Sequence, residues 1–330
     1  MDDFSLDIYN FELPAELIAQ QPSEPRDHCR LLVYDRKNKV ITDDYFYNLP
    51  KYLVSNTTLA INDTGVEKCR LRFGNLEIFI TKNIDDKTVE ALVRPGKKFK
   101  SNTTVNLADN ISVKVLSVID DGTRVLEFNL GINSKKLLPY RLTPLPPYIK
   151  QDESLSKKYQ TVYARDYKSK AAPTAGLHFT DELIKKITKE HDIACLTLQV
   201  GLGTFAPLKE SNFISNTLHS EEVMLDSENA KILNMAKHIT AVGTTSVRTL
   251  ESIRADDGFH EFSGATDIFI RPGYEFKAVD SIITNFHLPK SSLLMLIGAF
   301  VGVEEMMKIY SHAIEQRYMF YSFGDAMLII

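Results

Sequence analysis

Compact apolar runs recur near the two ends of the chain, and the pattern changes in the middle. TTLAIND, ACLTLQVG, ITAVGTT and SIITNF hold their apolar residues together rather than in alternation, as strands buried on both faces do. Several lead into stretches with apolar positions three and four apart, DELIKKITKEH, SENAKILNMAKH and SVRTLESI, which predict helices. Strands alternating with helices predict an α/β domain. Over residues 66–145 the pattern becomes short strands and turns: LEIFITK, KTVEALV and ISVKVLSVIDDGTRVLEFNL, with Asp121 and Gly122 as a hairpin turn. The simplest account is an α/β main domain, residues 1–65 and 146–330, with a small all-β domain inserted at 66–145. The proline-rich TPLPPYIK at 143–150 serves as the return hinge. The most apolar run, residues 293–303, falls short of the roughly 20 residues that span a bilayer, and Glu304 and Glu305 close it. It is expected to be one buried helix.

Composition narrows the picture only a little. With 330 residues, 44% hydrophobic and 25% charged, the chain can bury its own core. Cys29, Cys69 and Cys195 are odd in number and lack metal-ligand spacing, so they read as buried thiols in a reducing compartment. The start, MDDFSLDIYNFELP, is acidic where a secretory signal is basic, and the expected location is the cytoplasm, away from membranes. A net charge of -4 gives no general attraction to nucleic acid, so RNA binding needs a local basic patch. HExxH, paired CxxC and GxSxG are all missing, which leaves metal hydrolysis, thiol redox and the hydrolase elbow unsupported, and no metal site is expected.

Ligands of α/β sheets sit at the carboxyl ends of strands. In AVGTTSVRTLES, Thr244, Thr245 and Ser246 can cap a helix or leave backbone N–H groups free for a carboxylate or phosphate. Arg248, in the first turn, opposes the helix dipole unless an anion answers it, which favours a bound anion. In LQVGLGTFAPL, Gly201 and Gly203 permit a tight bend or the close approach of a ligand. In IITNFHLPKSS, a strand ends at Asn285, and His287 could contact a ligand, move a proton or lock a loop. His178, in KAAPTAGLHFTDEL with Thr174 and Gly176, faces the same choice, and Thr180 can cap the helix that follows.

The blocks YQTVYARDYKSKAAPTAGLHFT, VGLGTFAPL, HSEEV, AVGTTSVRTLES, DIFIRPGYEFKAVDSIITNFHLPKSSLLMLIGAF and RYMFYSFGDAMLII, in that order, resemble the S-adenosylmethionine:tRNA ribosyltransferase-isomerase family of queuosine biosynthesis. FELPAELIAQQPSEPRDHCRLLV and LAINDTGV extend the resemblance towards the N-terminus, leaving the β unit as its weakest part. It implies an α/β domain with an inserted β-barrel-like domain, and S-adenosylmethionine as co-substrate with no further cofactor. It also implies a tRNA partner carrying 7-aminomethyl-7-deazaguanine at the wobble position. The ribosyl portion moves to that base, adenine and methionine leave, and epoxyqueuosine forms. On this basis His178 and His287 are candidates for proton transfer. Thr174, Gly176, Gln199, Gly201, Gly203, Thr244, Thr245, Arg248 and Asn285 are candidates for substrate binding, and Arg70, Arg72, Arg165, Lys168 and Lys170 for tRNA phosphates.

Two positions depart from the family pattern: Gly65 replaces a basic residue in NDTGVEKCRL, where Lys68 could substitute, and Gln199 stands where a histidine is common. Gln199 can hydrogen-bond but cannot usefully exchange a proton. A methyltransferase that uses S-adenosylmethionine is disfavoured, because its glycine-rich strand–loop–helix is not visible. A non-catalytic tRNA-binding relative stays open.

Overall fold

Period-two alternation decides the main sheet. In the strand Arg30–Asp35, Leu32 and Tyr34 enter one apolar cluster while Leu31 and Val33 enter another; Ile282 and Ile283 of Ser281–Asn285 divide in the same way. Successive residues point to opposite faces, so both faces are covered, which explains the unbroken apolar runs. Thr57–Asn62 and Ser281–Asn285 are buried at every position.

The computed structural model describes residues 6–120, 122–201, 203 and 208–330. The chain divides into one unit of Met1–Gly65, Pro146–Lys150 and Lys157–Ile330, and another of Val66–Leu145 and Gln151–Ser156. The first unit carries the nine-stranded mixed sheet. At its centre Asp192–Leu198, Thr57–Asn62, His238–Val242 and Ser281–Asn285 run parallel, so all four finish at one edge. Outer pairs, such as Ser281–Asn285 with Ala326–Ile329 and Asp192–Leu198 with Thr217–Leu225, are antiparallel. Helices Thr244–Ile253, Ser292–Val301 and Val303–Glu315 cover one face through Val247, Leu250, Ile297 and Ile309. Phe46, Phe179, Leu183 and Ile187 cover the other.

The apolar run at 293–303 is not one helix. Gly302, at φ +86°, ends Ser292–Val301 and begins Val303–Glu315, a backbone state that glycine adopts without steric cost. Glu304 and Glu305 then stand in a new first turn, where the helix dipole favours acids. Asn62, fully buried, ties the strand ends together. Its Nδ2 donates to the Leu198 carbonyl at 3.0 Å and to Thr245 Oγ1 at 3.3 Å, and its Oδ1 accepts from the Leu198 N–H at 3.1 Å.

The second unit is a seven-stranded antiparallel sheet with its own core of Leu71, Ile78, Val89, Val113 and Leu126. Between Ile111–Val118 and Arg124–Phe128, Gly122 takes φ +89°; Asp121 lies outside the described residues. Cys29 and Cys69 are buried, whereas Cys195 is only half-buried. Among the described residues no helix is long and apolar enough to cross a membrane.

Candidate active site

The edge where the parallel strands end opens into a cleft of about 100 Å³, wholly within the first unit. Its wall is mostly apolar, from Ala171 to Ala175, Phe286 and Leu293, with Thr174, Thr244, Thr245, Asn285 and His287 among its polar members. No carboxylate, lysine or arginine occurs among its described lining residues.

One side of the cleft is a helix N-terminus. Gly243, at φ +89°, precedes Thr244–Ile253 and offers no side-chain cap, and its carbonyl accepts the first helical bond from Val247 N–H at 3.2 Å. The N–H groups of Thr244, Thr245 and Ser246 therefore precede the helical ladder and suit an anion. By contrast, the helix at Ser292 is capped by Ser291 Oγ, which accepts from Leu294 N–H at 3.2 Å.

His287 stands on the wall, with Thr284 Oγ1 2.9 Å from its Nε2 and its backbone N–H donating to Tyr310 Oη at 3.0 Å. Burial pushes its imidazole down to about 3, so it is neutral at working pH. Asn285 lies beside it, and behind Asn285 lies His178, which does not line the cleft. Asn285 Nδ2 is 2.9 Å from His178 Nε2, Cys29 Sγ is 3.3 Å from His178 Nδ1, and the Phe46 ring covers the imidazole. Burial, aided by the charge of Arg26, holds His178 at about 3 as well.

Tyr148, Tyr321 and Ser322 also line the cleft and were missed from sequence. The tyrosine rings lie 4.6 Å apart, and Tyr148 Oη is 2.6 Å from Ser322 Oγ. Tyr321 has φ +71°, an outlier for a bulky residue. Its N–H donates to the Phe286 carbonyl at 3.1 Å and its carbonyl accepts from Asn285 Nδ2 at 3.1 Å, bonds that hold the strained turn in place. Their only sequence signal is two tyrosines in loops remote from one another in the chain.

Other candidates lie off the wall. The anion that answers Arg248 is Glu221, inside the protein: Nη1 pairs with Glu221 Oε2, and both side chains are nearly inaccessible. Glu221 also accepts from Gly201 N–H at 3.0 Å and has His219 Nε2 3.2 Å away. Burial works to raise the Glu221 carboxyl, but the His219 hydrogen bond and the Arg248 charge overcome it and hold the group at about 2. Gly203 lies against the His219 ring, Gln199 N–H donates to the Glu222 carbonyl at 2.9 Å, and Leu202 with residues 204–207 lies outside the described residues.

Gly176 is a packing glycine, because a Cβ there would meet Tyr163 Oη at 2.0 Å. Gly176→Ala should therefore destabilise the fold by about 1–3 kcal/mol through overpacking, read as a lowered denaturant midpoint; an unchanged midpoint would show that Tyr163 moves freely aside.

Of the basic candidates in the second unit, Arg70 is committed to Gln151 and Glu77 at 2.9 and 2.8 Å, and Arg72 is exposed. In the first unit Arg165 is exposed, Lys168 pairs with Asp166 at 3.1 Å, and Lys170 is half-buried. At Gly65 the space of a side chain is taken by the Tyr167 ring, 2.6 Å from where a Cβ would stand.

A family model for queuosine biosynthesis proteins matches residues 6–329. The chain is 43% identical to the S-adenosylmethionine:tRNA ribosyltransferase-isomerase of Clostridium kluyveri, across 97% of this chain and 98% of that protein. It is 44% identical to the protein of the same name from Moorella thermoacetica, across 98% and 99%. The crystal structure of S-adenosylmethionine tRNA ribosyltransferase from Thermotoga maritima is 37% identical, covers 98% of this chain and 100% of its own, and superposes with a TM-score of 0.57.

Proposed function

This chain belongs to the queuosine biosynthesis protein family, and from that premise we propose that it is a cytoplasmic S-adenosylmethionine:tRNA ribosyltransferase-isomerase whose cleft binds S-adenosylmethionine. The ribosyl portion passes to the aminomethyl group of 7-aminomethyl-7-deazaguanine at the tRNA wobble position. Adenine and methionine leave, and the product is epoxyqueuosine-tRNA. The second unit acts as the inserted β-barrel-like domain, and Arg70, Arg72, Arg165, Lys168 and Lys170 contribute tRNA phosphate contacts.

The observation that carries the reading at residue level is an uncapped helix N-terminus opening onto an apolar, tyrosine-walled cleft. The N–H groups at Thr244 and Thr245 seat the methionine carboxylate, and the tyrosine faces suit a sulfonium cation. The sulfonium acidifies the neighbouring ribose carbon. His287 receives that proton on Nδ1 while Nε2 stays on Thr284; burial keeps it unprotonated and ready to accept but also makes it a weak base. The amine of the base attacks in its neutral form. His178, behind the wall, holds Asn285 in place and does not take part in proton transfer.

The test supplies S-adenosylmethionine and tRNA bearing the aminomethyl-deazaguanine base, then follows adenine release and the mass of the digested wobble nucleoside. Adenine with epoxyqueuosine is expected. S-adenosylhomocysteine in place of adenine, or tRNA binding with neither product, would overturn the proposal. In the same assay His287→Gln should lower kcat by about 100-fold, the lower end of general-base contributions, with KM for S-adenosylmethionine changed much less.

A further inference from the structure

We infer that the cleft reads the amino-acid end of its ligand as a zwitterion: the free N–H groups at Thr244–Ser246 take the α-carboxylate, and Oδ1 of Asn285 accepts from the α-ammonium. The inference rests on the assignment of the cleft to S-adenosylmethionine and adds how that ligand is recognised.

Asn285 is 2% exposed, and its amide can be oriented in one way only. A backbone carbonyl can only accept, so the atom 3.1 Å from the Tyr321 carbonyl must be the NH₂ group. That same nitrogen is 2.9 Å from His178 Nε2, which must then be the acceptor, leaving the imidazole proton on Nδ1, facing Cys29 Sγ at 3.3 Å. Both amide hydrogens are thereby engaged. Among the described residues Oδ1 is buried without a partner, and a buried acceptor left unpaired is destabilising unless a ligand satisfies it.

The neighbourhood specifies the donor. Gly243 N–H donates to the Ile283 carbonyl at 2.7 Å, which sets the helix N-terminus beside the strand that carries Asn285, and both line the same cleft. An α-amino acid holds its carboxylate and ammonium on one carbon, so it needs an anion seat and an acceptor side by side. No carboxylate occurs among the described lining residues, so a cation there must be met by neutral acceptors, and Oδ1 of Asn285 is the lining acceptor that is buried and unsatisfied. His178 is a positioning residue: it acts through Asn285 and touches no ligand.

Calorimetric titration of the purified protein with S-adenosylmethionine, and with its analogue bearing hydrogen in place of the α-amino group, tests this. The analogue should bind about 10- to 100-fold more weakly, the effect of one charged hydrogen bond. Asn285→Leu should weaken S-adenosylmethionine by the same factor and leave the analogue unaffected, collapsing the ratio towards one. His178→Phe should narrow the ratio, and His178→Gln, whose Oε1 can accept from the Asn285 amide, should restore it; general loosening of the cleft would weaken both ligands and leave the ratio alone.

Equal binding of both ligands by the unaltered protein, or equal weakening of both by Asn285→Leu, overturns the inference. Should Asn285→Leu fail to fold, the two-ligand comparison on the unaltered protein decides alone. Equal binding accompanied by adenine release from tRNA-containing mixtures removes the zwitterion contact and leaves the enzymatic proposal standing; no S-adenosylmethionine binding at all removes both.

Discussion

Glu221→Ala is expected to lower the unfolding free energy by about 3–5 kcal/mol at neutral pH, because it leaves Arg248 charged and without its counter-ion. Arg248 is 4% exposed and Glu221 3%, so water cannot replace the lost partner. The remaining guanidinium contact, Nε to the Ile268 carbonyl at 3.3 Å, carries no charge. Gly201 N–H loses its acceptor as well. Urea unfolding of the single variants and of Glu221→Ala combined with Arg248→Leu measures the effect. The double variant should recover most of the loss, since removing both charges ends the imbalance. A single-variant cost below about 1 kcal/mol would mean that solvent or the neighbouring loop screens the pair. Arg248→Leu also tests the alternative that this arginine holds the ligand: S-adenosylmethionine affinity should follow the loss of stability and not exceed it.

Lowering the pH from 7 to 4.5 should remove about 5 kcal/mol through two histidines alone. His178 and His287 are held by burial at about 3, whereas an unfolded imidazole titrates near 6.5. Above pH 6.5 both states are neutral and nothing is lost. Below it the unfolded chain takes up two protons that the folded chain refuses, so stability falls at ~1.4 kcal/mol per pH unit for each histidine until about pH 3. Asp63 and Asp325, raised by burial, take up protons in the folded state and oppose part of this trend. The slope of unfolding free energy against pH in His178→Gln and in His287→Gln isolates each imidazole, and each variant should lose about half of the histidine contribution. Unchanged slopes would mean that the imidazoles reach water or a proton donor in the folded state.

Much of the fold was legible because burial on both faces leaves a mark in the sequence. TTLAIND and SIITNF keep their apolar residues adjacent rather than alternating, and their strands, Thr57–Asn62 and Ser281–Asn285, are wholly buried. Strand ends and helix starts are also local features, which is why Thr244, Thr245, Asn285 and His287 could be named from sequence and are found on one cleft. What escaped was set by contacts between distant segments. Arg248 raised the right question, what anion answers it, but Glu221 lies on a strand whose antiparallel place in the sheet no local pattern records. Gly176 looked like room for a ligand and is room for Tyr163. His178 shares its loop with Thr174 yet turns behind the wall, and the tyrosines that make that wall come from positions 148 and 321. The break at Gly302 was written in the sequence, but the hydrophobic run masked it.

The strand Thr57–Asn62 has a consequence for how the protein is made. Buried along its whole length, with Leu59, Ala60 and Ile61 at its centre, it pairs with Asp192–Leu198 on one side and His238–Val242 on the other, neither of which exists until well over a hundred further residues have been added. The intervening β unit consists of strands paired mainly with near neighbours in sequence and can condense first. At ~5–20 residues per second of synthesis, the strand waits on the order of ten seconds for its partners. During that interval it is an unpaired hydrophobic edge, and its vulnerability to association with other nascent chains belongs to translation, since the finished sheet hides it completely.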